Sequence, residues 1–332
     1  MTQRERQILS LIEANPMISQ QELADALQIT RSSVAVHISN LLKKGYIAGK
    51  GYVLRHGTYA VVVGGVNVDI GGRSAGALVQ ADSNPGTVTV SLGGVGRNIA
   101  HNLSLMGADV RMLTAFGQDL YGQKVASSCA ELGIDVSHAL RCSDAATSTY
   151  LYIADPQGEM AVAISDMSIC DRITPAYLAQ NCHAPLFVDP VSTAKAPKLL
   201  PILSRIHTLK PNRLEAELLS GVKIVSAADA EAAARALLEK GVHRVFISMG
   251  AEGVYAADEN AQLWLQNLPG KMVNTTGCGD AFMAALVWAY LEDADLQETA
   301  LAGLAAGAIA MEYDATINPA MSADALRARM KK

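Results

Sequence analysis

Apolar residues near the amino terminus recur at helical spacing in three short runs. Two of these runs follow a Ser or Thr that has Glu three positions later, in Thr2–Glu5 and Ser19–Glu22, and such capping boxes start helices. Thr30 caps the third run and Gly45 ends it. The alternating segment Tyr46–Leu54, with glycines at its centre, then predicts a β-hairpin. Helix, helix, turn, helix and hairpin is the order of a winged helix-turn-helix.

The second helix of a helix-turn-helix pair enters the major groove of DNA with its early residues. Here the residues that can reach base edges are Arg31, Ser32, Ser33, His37 and Asn40, and those that would meet phosphates are Lys43, Lys44 and Lys50. Residues 1–56 carry a net charge of +3, against −8 for the remainder, which supports a nucleic-acid partner for this head. The alternative is a three-helix bundle that only dimerises or packs.

After about residue 57 the pattern changes to short apolar strands that alternate with helical stretches. Tyr59–Ile70 predicts a buried strand that ends in glycines, and PLFVDPV, IHTLKPN and RVFISMG predict further strands. Such an alternation indicates a parallel sheet covered by helices on both faces. Two segments, Gly86–Leu92 and Ser148–Ile164, alternate with period two instead. They predict a small lid of half-exposed strands, at about 71–92 and 147–165.

The composition favours a cytoplasmic globular protein. Half of the residues are apolar and 18% are charged. The five cysteines are scattered and odd in number, which argues against a disulfide framework and for a reducing compartment. The first residues are polar, so no signal peptide is expected. The longest apolar runs, Ala281–Leu291 and Ala300–Met311, are too short to span a bilayer.

The turn Thr276–Gly279 precedes Asp280 and the first of these long apolar helices. Backbone N–H groups at a helix start form a cradle for an anion, helped by the helix dipole. The structural interpretation of Asp280 is an acid favoured by that dipole. The chemical interpretation is a general base beside a site that holds a transferring phosphoryl group. The chain has neither a Walker A loop nor a protein-kinase signature.

Other polar and glycine-rich motifs follow predicted strands, where open α/β sheets bind ligands. Asn67 and Asp69 follow the first strand, and GGVGRN (93–98) precedes a helix expected from near Ile99. Taken alone, GGVGRN is as well explained by an ordinary strand-to-helix turn. Asn212 and Glu215 have capping-box spacing, which favours a structural role. The segment 248–253 fits either a hairpin turn or a close approach of backbone to a nucleotide.

In order, the motifs GGVNVDI, GGVGRN, KPNRLEAE, SMGAEG and NTTGCGDAF resemble those of the ribokinase-like (PfkB-type) carbohydrate kinases across residues 59–320. More narrowly, segments 81–110, 148–160 and 206–221 are similar to pseudouridine kinases, and SNPG (83–86) is the most discriminating piece. The resemblance implies a ribokinase-like α/β fold. It also implies an enzyme that uses ATP and Mg²⁺ to phosphorylate the 5′-hydroxyl of a ribose, here that of pseudouridine.

The resemblance also implies roles for individual residues. It makes Asp280 the base, and Gly277, Cys278 and Gly279 the anion hole. The implied substrate residues are Asn67, Asp69, Asn84, Gly93, Gly94, Asn98, Thr149, Tyr150 and Asp166, of which Thr149 and Tyr150 belong to the lid over the base. The implied nucleotide residues are Asn212, Ser248, Gly250, Gly253 and Thr276, and Glu215 would order Mg²⁺.

Three departures from the family pattern bear on these roles. Asn274 stands where many relatives have an Asp near a monovalent-cation site, so a K⁺ requirement is open. Ser165 precedes Asp166 where pseudouridine kinases tend to have Asn-Asp. A strand and helix of roughly 30 residues are missing between Gln180 and Pro185, through either a natural deletion or an incomplete sequence. We therefore expect a helix from about Thr174 to near Gln180, a strand at Leu186–Val188, and a narrower sheet.

The sequence thus predicts a winged helix-turn-helix DNA-binding domain at 1–56 and a ribokinase-like kinase domain at 57–332, in a protein expected to form a homodimer. One alternative is a transcription regulator whose kinase-like domain only senses a nucleoside or sugar. A second alternative is a kinase for another nucleoside or furanose sugar.

Overall fold

The computed structural model describes residues 2–15, 17–47, 58–181 and 184–331. The contacts divide the chain into two units, Met1–Thr58 and Tyr59–Lys332. None of the described helices is both long enough and apolar enough to cross a membrane.

The three helices of the first unit begin at the predicted caps. They are α1 (Gln3–Ala14), α2 (Gln20–Leu27) and α3 (Arg31–Lys43). Thr2 and Ser19 form complete capping boxes, and Thr30 Oγ1 accepts a hydrogen bond from Ser33 N at 3.2 Å. The apolar faces of the three helices pack into one buried core. The hairpin predicted at 46–54 lies mostly outside the described residues.

The second unit alternates strands and helices. Its strands are β1 (Tyr59–Val63), β2 (Asn67–Ser74), β3 (Gly86–Gly93), β4 (Asp109–Leu113), β5 (Ala115–Gly117), β6 (Leu140–Cys142), β7 (Thr149–Ala154), β8 (Met160–Asp166), β9 (Leu186–Val188), β10 (Ile206–Leu209), β11 (Arg244–Ser248), β12 (Val254–Asp258) and β13 (Gln262–Leu265). Its α-helices are α4 (Val95–Leu105), α5 (Leu120–Glu131), α6 (Pro175–Asn181), α7 (Arg213–Ser220), α8 (Ala227–Glu239), α9 (Cys278–Leu291), α10 (Leu296–Ala310) and α11 (Ala323–Met330). Short 3-10 helices lie at Ser168–Arg172, Ala196–Arg205 and Gly250–Glu252.

The predicted lid is a four-stranded sheet in the order β3-β2-β7-β8. Strand β2 pairs antiparallel with β3 and parallel with β7, which forms a hairpin with β8. The prediction of one strand over Tyr59–Ile70 is wrong, because the chain leaves strand conformation at Gly64–Val66. Asn67 and Asp69 therefore lie on a lid strand, and not in a loop after the first strand.

The strands of the main α/β layer fall into separate ladders. The largest is a five-stranded sheet in the order β13-β12-β11-β10-β9, in which β9, β10 and β11 are parallel. Among the described residues, strand β1 pairs only with β4, and β5 only with β6, both in parallel. Within the described part of the chain, no ladder connects β1 or β4 to β9.

This division lies where the strand-helix unit is missing. Helix α6 and strand β9 lie close to their predicted positions, and the largest sheet has five strands. Among the described residues, the flanking strands β1 and β9 have not closed up. Consequently one edge of β1 has no strand partner in the described part of the chain, and Tyr59 and Val63 are 45% and 39% exposed.

Helix α9 holds the two parts of the α/β layer together, because it is buried on opposite faces. Its Ala281 and Ala285 belong to the core around β1, β4 and α4. Its Phe282 and Leu286 belong to the core around β11 and β12. A third core lies between β9–β11 and the helices α7 and α8. The long apolar run noted in the sequence is thus a helix that packs on both sides of the division.

Candidate active site

The turn before α9 forms the predicted N–H cradle, but one of its free N–H donors differs from the prediction. Gly277 caps the helix at φ 85°, and a Cβ there would lie 2.7 Å from Thr316 Cγ2, so only glycine fits. The N–H groups of Gly277, Gly279 and Asp280 have no acceptor among the described residues. The Cys278 N–H instead points to Thr275 O at 3.3 Å. The free donors therefore include Asp280 in place of Cys278.

Thr276 and Asn274 support this cradle from the preceding turn. Asn274 Oδ1 accepts a hydrogen bond from Thr276 N at 2.9 Å, and its Nδ2 donates to Asp314 O at 2.8 Å. Both ends of the Asn274 amide are thus engaged in fixing the turn. The predicted nucleotide residue Thr276 has an exposed side chain.

The Asp280 carboxylate lies at the cradle and is half-buried. Asn98 Nδ2 donates a hydrogen bond to its Oδ2 at 2.8 Å. Burial raises the pKa of Asp280 to about 6 and the Asp189 carboxylate adds to this rise, whereas the Asn98 hydrogen bond and the Lys210 ammonium oppose it. A carboxyl with this pKa is ionised near neutral pH and still basic enough to accept a proton.

Helix α4 presents Asn98 to Asp280. The prediction that this helix starts near Ile99 is wrong, because Gly94 is its N-cap and Asn98 lies in its first turn. Asn98 is buried, and its Oδ1 has no hydrogen-bond donor among the described residues. A buried acceptor without a donor is a position that a ligand hydroxyl can fill.

Asn67 and Asp69 lie next to Gly93 and Gly94, as the motifs predict. Asn67 Nδ2 donates to Asp69 Oδ1 at 2.5 Å, and burial raises the pKa of Asp69 while this hydrogen bond lowers it. A Cβ at Gly93 would lie 3.3 Å from Asn67 Nδ2, and one at Gly94 would lie 2.8 Å from Asn67 Oδ1. The two glycines therefore leave room for these polar side chains.

The lid divides its predicted substrate residues between two faces, because paired residues share a face and neighbours along a strand alternate. Asp69 is paired with Tyr150, which is paired with Ser165. Thr149 is paired with Asp166 and lies on the opposite face. The structure thus brings Tyr150 to Asp69, but not Thr149 or Asp166.

Two further polar residues share the Asp69 face and were not among the predicted site residues, although Ser165 was noted as a departure from the family pattern. Tyr152 stands two positions after Tyr150, with ring centroids 5.9 Å apart, and Ser165 is the cross-strand partner of Tyr150. Strand alternation from Asp69 could have identified both, once the pairing was known.

Asn84 organises the loop between β2 and β3. Its Oδ1 accepts from Val79 N at 2.8 Å, and its Nδ2 donates to Val79 O at 2.9 Å and to Asp82 O at 3.1 Å. The amide group is thus engaged within its own loop.

Asn212 and Glu215 form a complete capping box at the start of α7. Glu215 is buried, and burial together with Asp189 raises its pKa against the opposing Asn212 hydrogen bond and Lys210 ammonium. Its Oε2 accepts from Asn212 N at 2.9 Å, and its Oε1 has no donor in the described part of the chain. Mg²⁺ uses one or two carboxylates together with substrate phosphates, and a single carboxylate with a free oxygen fits that need. The described residues hold no cluster of three His, Cys, Asp or Glu that could bind a metal alone.

The segment 248–253 joins the antiparallel strands β11 and β12, as the hairpin interpretation predicts. Ser248 N donates to Pro211 O at 2.9 Å, which places it beside the start of α7. Gly250 and Gly253 have φ values of 60° and 100°, which favour glycine.

A buried ion pair at the same edge was missed by the sequence reasoning. Asp189 follows β9 and Lys210 follows β10, and their Oδ2 and Nζ atoms are 2.9 Å apart. The rule that ligands bind at the carboxyl ends of parallel strands applies to both residues.

The head presents only part of the predicted DNA-binding set on its surface. Arg31, Ser32 and Lys43 are exposed, whereas Ser33, His37 and Asn40 are half-buried. The most exposed line of α3 also includes Ala35, Val36 and Ser39, which the sequence reasoning missed. Lys44 Nζ contacts both oxygens of the buried Glu5 at 2.8 Å, so it is held within the head. Lys50 lies outside the described residues.

Comparison with known proteins agrees with this architecture. The model of the pfkB family of carbohydrate kinases matches residues 57–176 and 169–323. The chain belongs to this family. Residues 1–48 match the model of a winged helix-turn-helix DNA-binding domain. Both parts of the predicted fold class are thereby confirmed, and the chain is a sugar or nucleoside kinase with an amino-terminal helix-turn-helix domain.

Individual relatives of this PfkB-family kinase cover most of its length. It is 39% identical to the uncharacterized sugar kinase YeiI of Escherichia coli K12, over 98% of each chain. It is 37% identical to the pseudouridine kinase of the same organism, over 81% of this chain and 95% of the relative. The structure of a sugar kinase from Clostridium perfringens is 28% identical, with a TM-score of 0.77 over 83% of this chain and 96% of that one.

The length of one alignment and the split of the family match agree with a shortened segment in this chain. The alignment with YeiI spans 353 positions, although 98% of the 332 residues here is only about 325. About 28 aligned positions therefore have no counterpart in this chain. The two stretches of the family match meet at 169–176, close to α6.

Proposed function

We propose that this PfkB-family kinase transfers a phosphoryl group from ATP, with Mg²⁺, to the ribose 5′-hydroxyl of pseudouridine. The observation that carries this proposal is the pairing of Asp280 with free N–H donors at the start of α9. A base beside an anion cradle is the arrangement that phosphoryl transfer to an alcohol needs.

In this proposal Asp280 accepts the proton of the 5′-hydroxyl as its oxygen bonds to the γ-phosphorus of ATP, and ADP leaves. The N–H groups of Gly277, Gly279 and Asp280 stabilise the charge on the transferring group. Asn212 and Glu215 would hold Mg²⁺, which neutralises phosphate charge when bound. The turn at Ser248–Gly253 borders the nucleotide.

The ribose is proposed to lie against Asn67, Asp69 and Asn98. Asp69 accepts hydrogen bonds from ribose hydroxyls, and a hydroxyl also fills the free acceptor at Asn98 Oδ1. Tyr150, Tyr152 and Ser165 on the same lid face cover the base. The similarity to pseudouridine kinase supports the choice of nucleoside. The alternative is another nucleoside or a furanose sugar.

We further propose that residues 1–56 form a DNA-binding domain and residues 57–332 the kinase domain. The exposed residues Arg31, Ser32 and Lys43 support this assignment of the head, since arginine and serine read base edges and lysine meets phosphates.

The expected homodimer is supported by the other face of the lid. Val90, Ile70, Leu151 and Ile164 form one cross-strand row on that face. Val88, Ile153 and Val162 extend it around Gly72, and most of these apolar side chains are exposed. A second copy of this lid would cover the face. Sedimentation of the intact protein as a monomer would contradict this proposal.

The competing function is a regulator that senses a nucleoside or sugar without phosphorylating it. The divided sheet favours this alternative, because a free β1 edge weakens the support of the site. The intact cradle and capping box oppose it.

A panel of nucleosides and furanose sugars incubated with ATP and Mg²⁺ tests the proposal. We expect pseudouridine 5′-phosphate to form with the highest kcat/KM in the panel. Binding of pseudouridine without turnover would favour the sensing alternative, and a better substrate would correct the nucleoside.

A further inference from the structure

The proposed function gives the Lys210–Asp189 ion pair no part in the reaction, yet the pair lies inside the candidate site. The two side chains are 6% and 12% exposed, so both charges are removed from bulk water. A buried ion pair contributes little to stability beyond what an apolar pair of equal size would give. Its presence in this position therefore calls for a reason other than stability.

Lys210 lies next to the N–H cradle at the start of α9. A Cβ placed on Gly279 would lie 3.6 Å from Lys210 Nζ, so the ammonium group stands beside the free N–H groups. Lys210 also lowers the pKa of both Asp280 and Glu215, which places it within electrostatic reach of the proposed base and the proposed Mg²⁺ ligand. In the function proposed above, the phosphoryl group is transferred between the nucleotide at Glu215 and the hydroxyl at Asp280.

The position of Asp189 is fixed independently. Its Oδ1 accepts a hydrogen bond from Val191 N at 2.8 Å, while its Oδ2 holds Lys210. Val191 has φ 68°, a conformation that a β-branched residue rarely adopts. Backbone outliers of this kind persist where the surrounding structure over-determines them, and they cluster at functional sites.

We propose that Lys210 is a catalytic residue whose ammonium group contacts the transferring phosphoryl group, and that Asp189 positions it. The Asp189 carboxylate holds this ammonium group in place through the ion pair at 2.9 Å. The cation is then in place before charge develops, so little reorganisation is needed during transfer. This inference rests on the proposed kinase activity.

Three variants separate this role from a structural one. Lys210→Met removes the cation and leaves Asp189 as an unpaired buried charge, so it lowers both the melting temperature and kcat. The double variant Lys210→Met/Asp189→Asn has no buried charge, so its melting temperature returns close to that of the wild type. Lys223→Met is the matched control, because Lys223 forms a surface ion pair with Glu217 at 2.7 Å.

We expect the stable double variant to keep a kcat about 100-fold below that of the wild type, with KM for the nucleoside within about threefold. The control keeps the wild-type kcat. A double variant that recovers both melting temperature and kcat overturns the proposal, since the pair would then be structural only.

A binding measurement gives a second readout. Aluminium fluoride with ADP and Mg²⁺ mimics the transferring phosphoryl group, and calorimetry measures how much it tightens ADP binding. We expect the wild type to show this tightening and the double variant to lose it, with unchanged binding of ADP alone. Equal tightening in both proteins, or none in the wild type, overturns the role of Lys210. If the wild type phosphorylates nothing, the proposed function fails, and this calorimetric comparison still decides the role of Lys210.

Discussion

At the scale of single residues, two carboxylates define the site, the half-buried Asp280 and the buried Glu215, and they differ in what surrounds them. Asp280 faces the cradle and accepts one hydrogen bond from a side-chain amide. Glu215 is held in a capping box and keeps one oxygen free. Burial raises the pKa of both, but only Asp280 is placed beside free N–H donors. The first suits proton transfer and the second suits a metal.

The pKa of Asp280 predicts the acid limb of the reaction. Because a base must be ionised and this pKa is about 6, kcat/KM should fall about tenfold per pH unit below about pH 6 and level off above about pH 7. The measurement is kcat/KM for the best substrate from about pH 5 to pH 8, with enzyme stability checked at each pH. A flat profile across that range would contradict the assignment of Asp280.

Glu215→Gln separates metal ordering from helix capping. Glutamine can still cap the helix, so the melting temperature should change little. The loss of the carboxylate should raise the Mg²⁺ concentration needed for half-maximal rate by about tenfold or more. Titration of the rate with Mg²⁺ measures this. An unchanged Mg²⁺ requirement would leave Glu215 as a capping residue only.

The sequence allowed part of the site to be predicted, and the reasons differ between residues. The caps at Thr2, Ser19 and Asn212 follow from local spacing, and all three form in the structure. The face on which Thr149 lies depends on strand pairing that no local pattern reveals. The Lys210–Asp189 pair joins residues 21 positions apart through parallel strands, so it too needed the fold.

At the scale of elements, helix α3 contains the residues with which DNA binding by the head can be tested. Arg31 and Lys43 are exposed on it, whereas Lys44 is held by Glu5. Arg31→Ala should reduce the preference for one DNA sequence. Lys43→Ala should weaken binding to all sequences and reduce the salt slope by about one.

Lys44→Ala is the internal control for that series. It should lower the melting temperature of the head, because Glu5 would become a buried unpaired charge. Binding isotherms at several salt concentrations, with promoter and unrelated DNA, distinguish the three variants. Equal effects of Lys43→Ala and Lys44→Ala on the salt slope would contradict this division of roles.

Strands β1 and β9 flank the position of the missing segment, so its effect on stability and catalysis can be tested there. Their free edges leave apolar side chains partly exposed, which costs stability and weakens the support of residues that follow each strand. Inserting the strand-helix unit of a relative between Gln180 and Pro185 should raise the melting temperature by several degrees and also raise kcat. Calorimetry and steady-state rates measure the two effects. If the protein with the inserted unit has the same kcat as the present chain, the division of the sheet does not affect catalysis.

At the scale of the whole molecule, the chain combines a basic helix-turn-helix head with a PfkB-family kinase body. Alternating strands and helices predicted the α/β body, and two period-two segments predicted the lid. The division of the main sheet could not be predicted from the sequence, because it depends on whether β1 and β9 pair across the shortened segment at 180–185. The apolar pattern of helix α9 does not show whether the sheet is divided, because this helix packs on both sides of the division.

We propose that this molecule phosphorylates its ligand with Asp280 as the base, and comparing Asp280→Asn with the wild type tests this role. The wild type should turn over pseudouridine with ATP and Mg²⁺. The variant should lose about 1,000-fold or more in kcat and bind pseudouridine within about threefold, because the cradle and ribose contacts remain. Its melting temperature near neutral pH should be equal or higher, since the raised pKa of Asp280 means that the ionised form costs stability above about pH 6. A folded Asp280→Asn variant that retains near-normal turnover would contradict the role of Asp280 as the base.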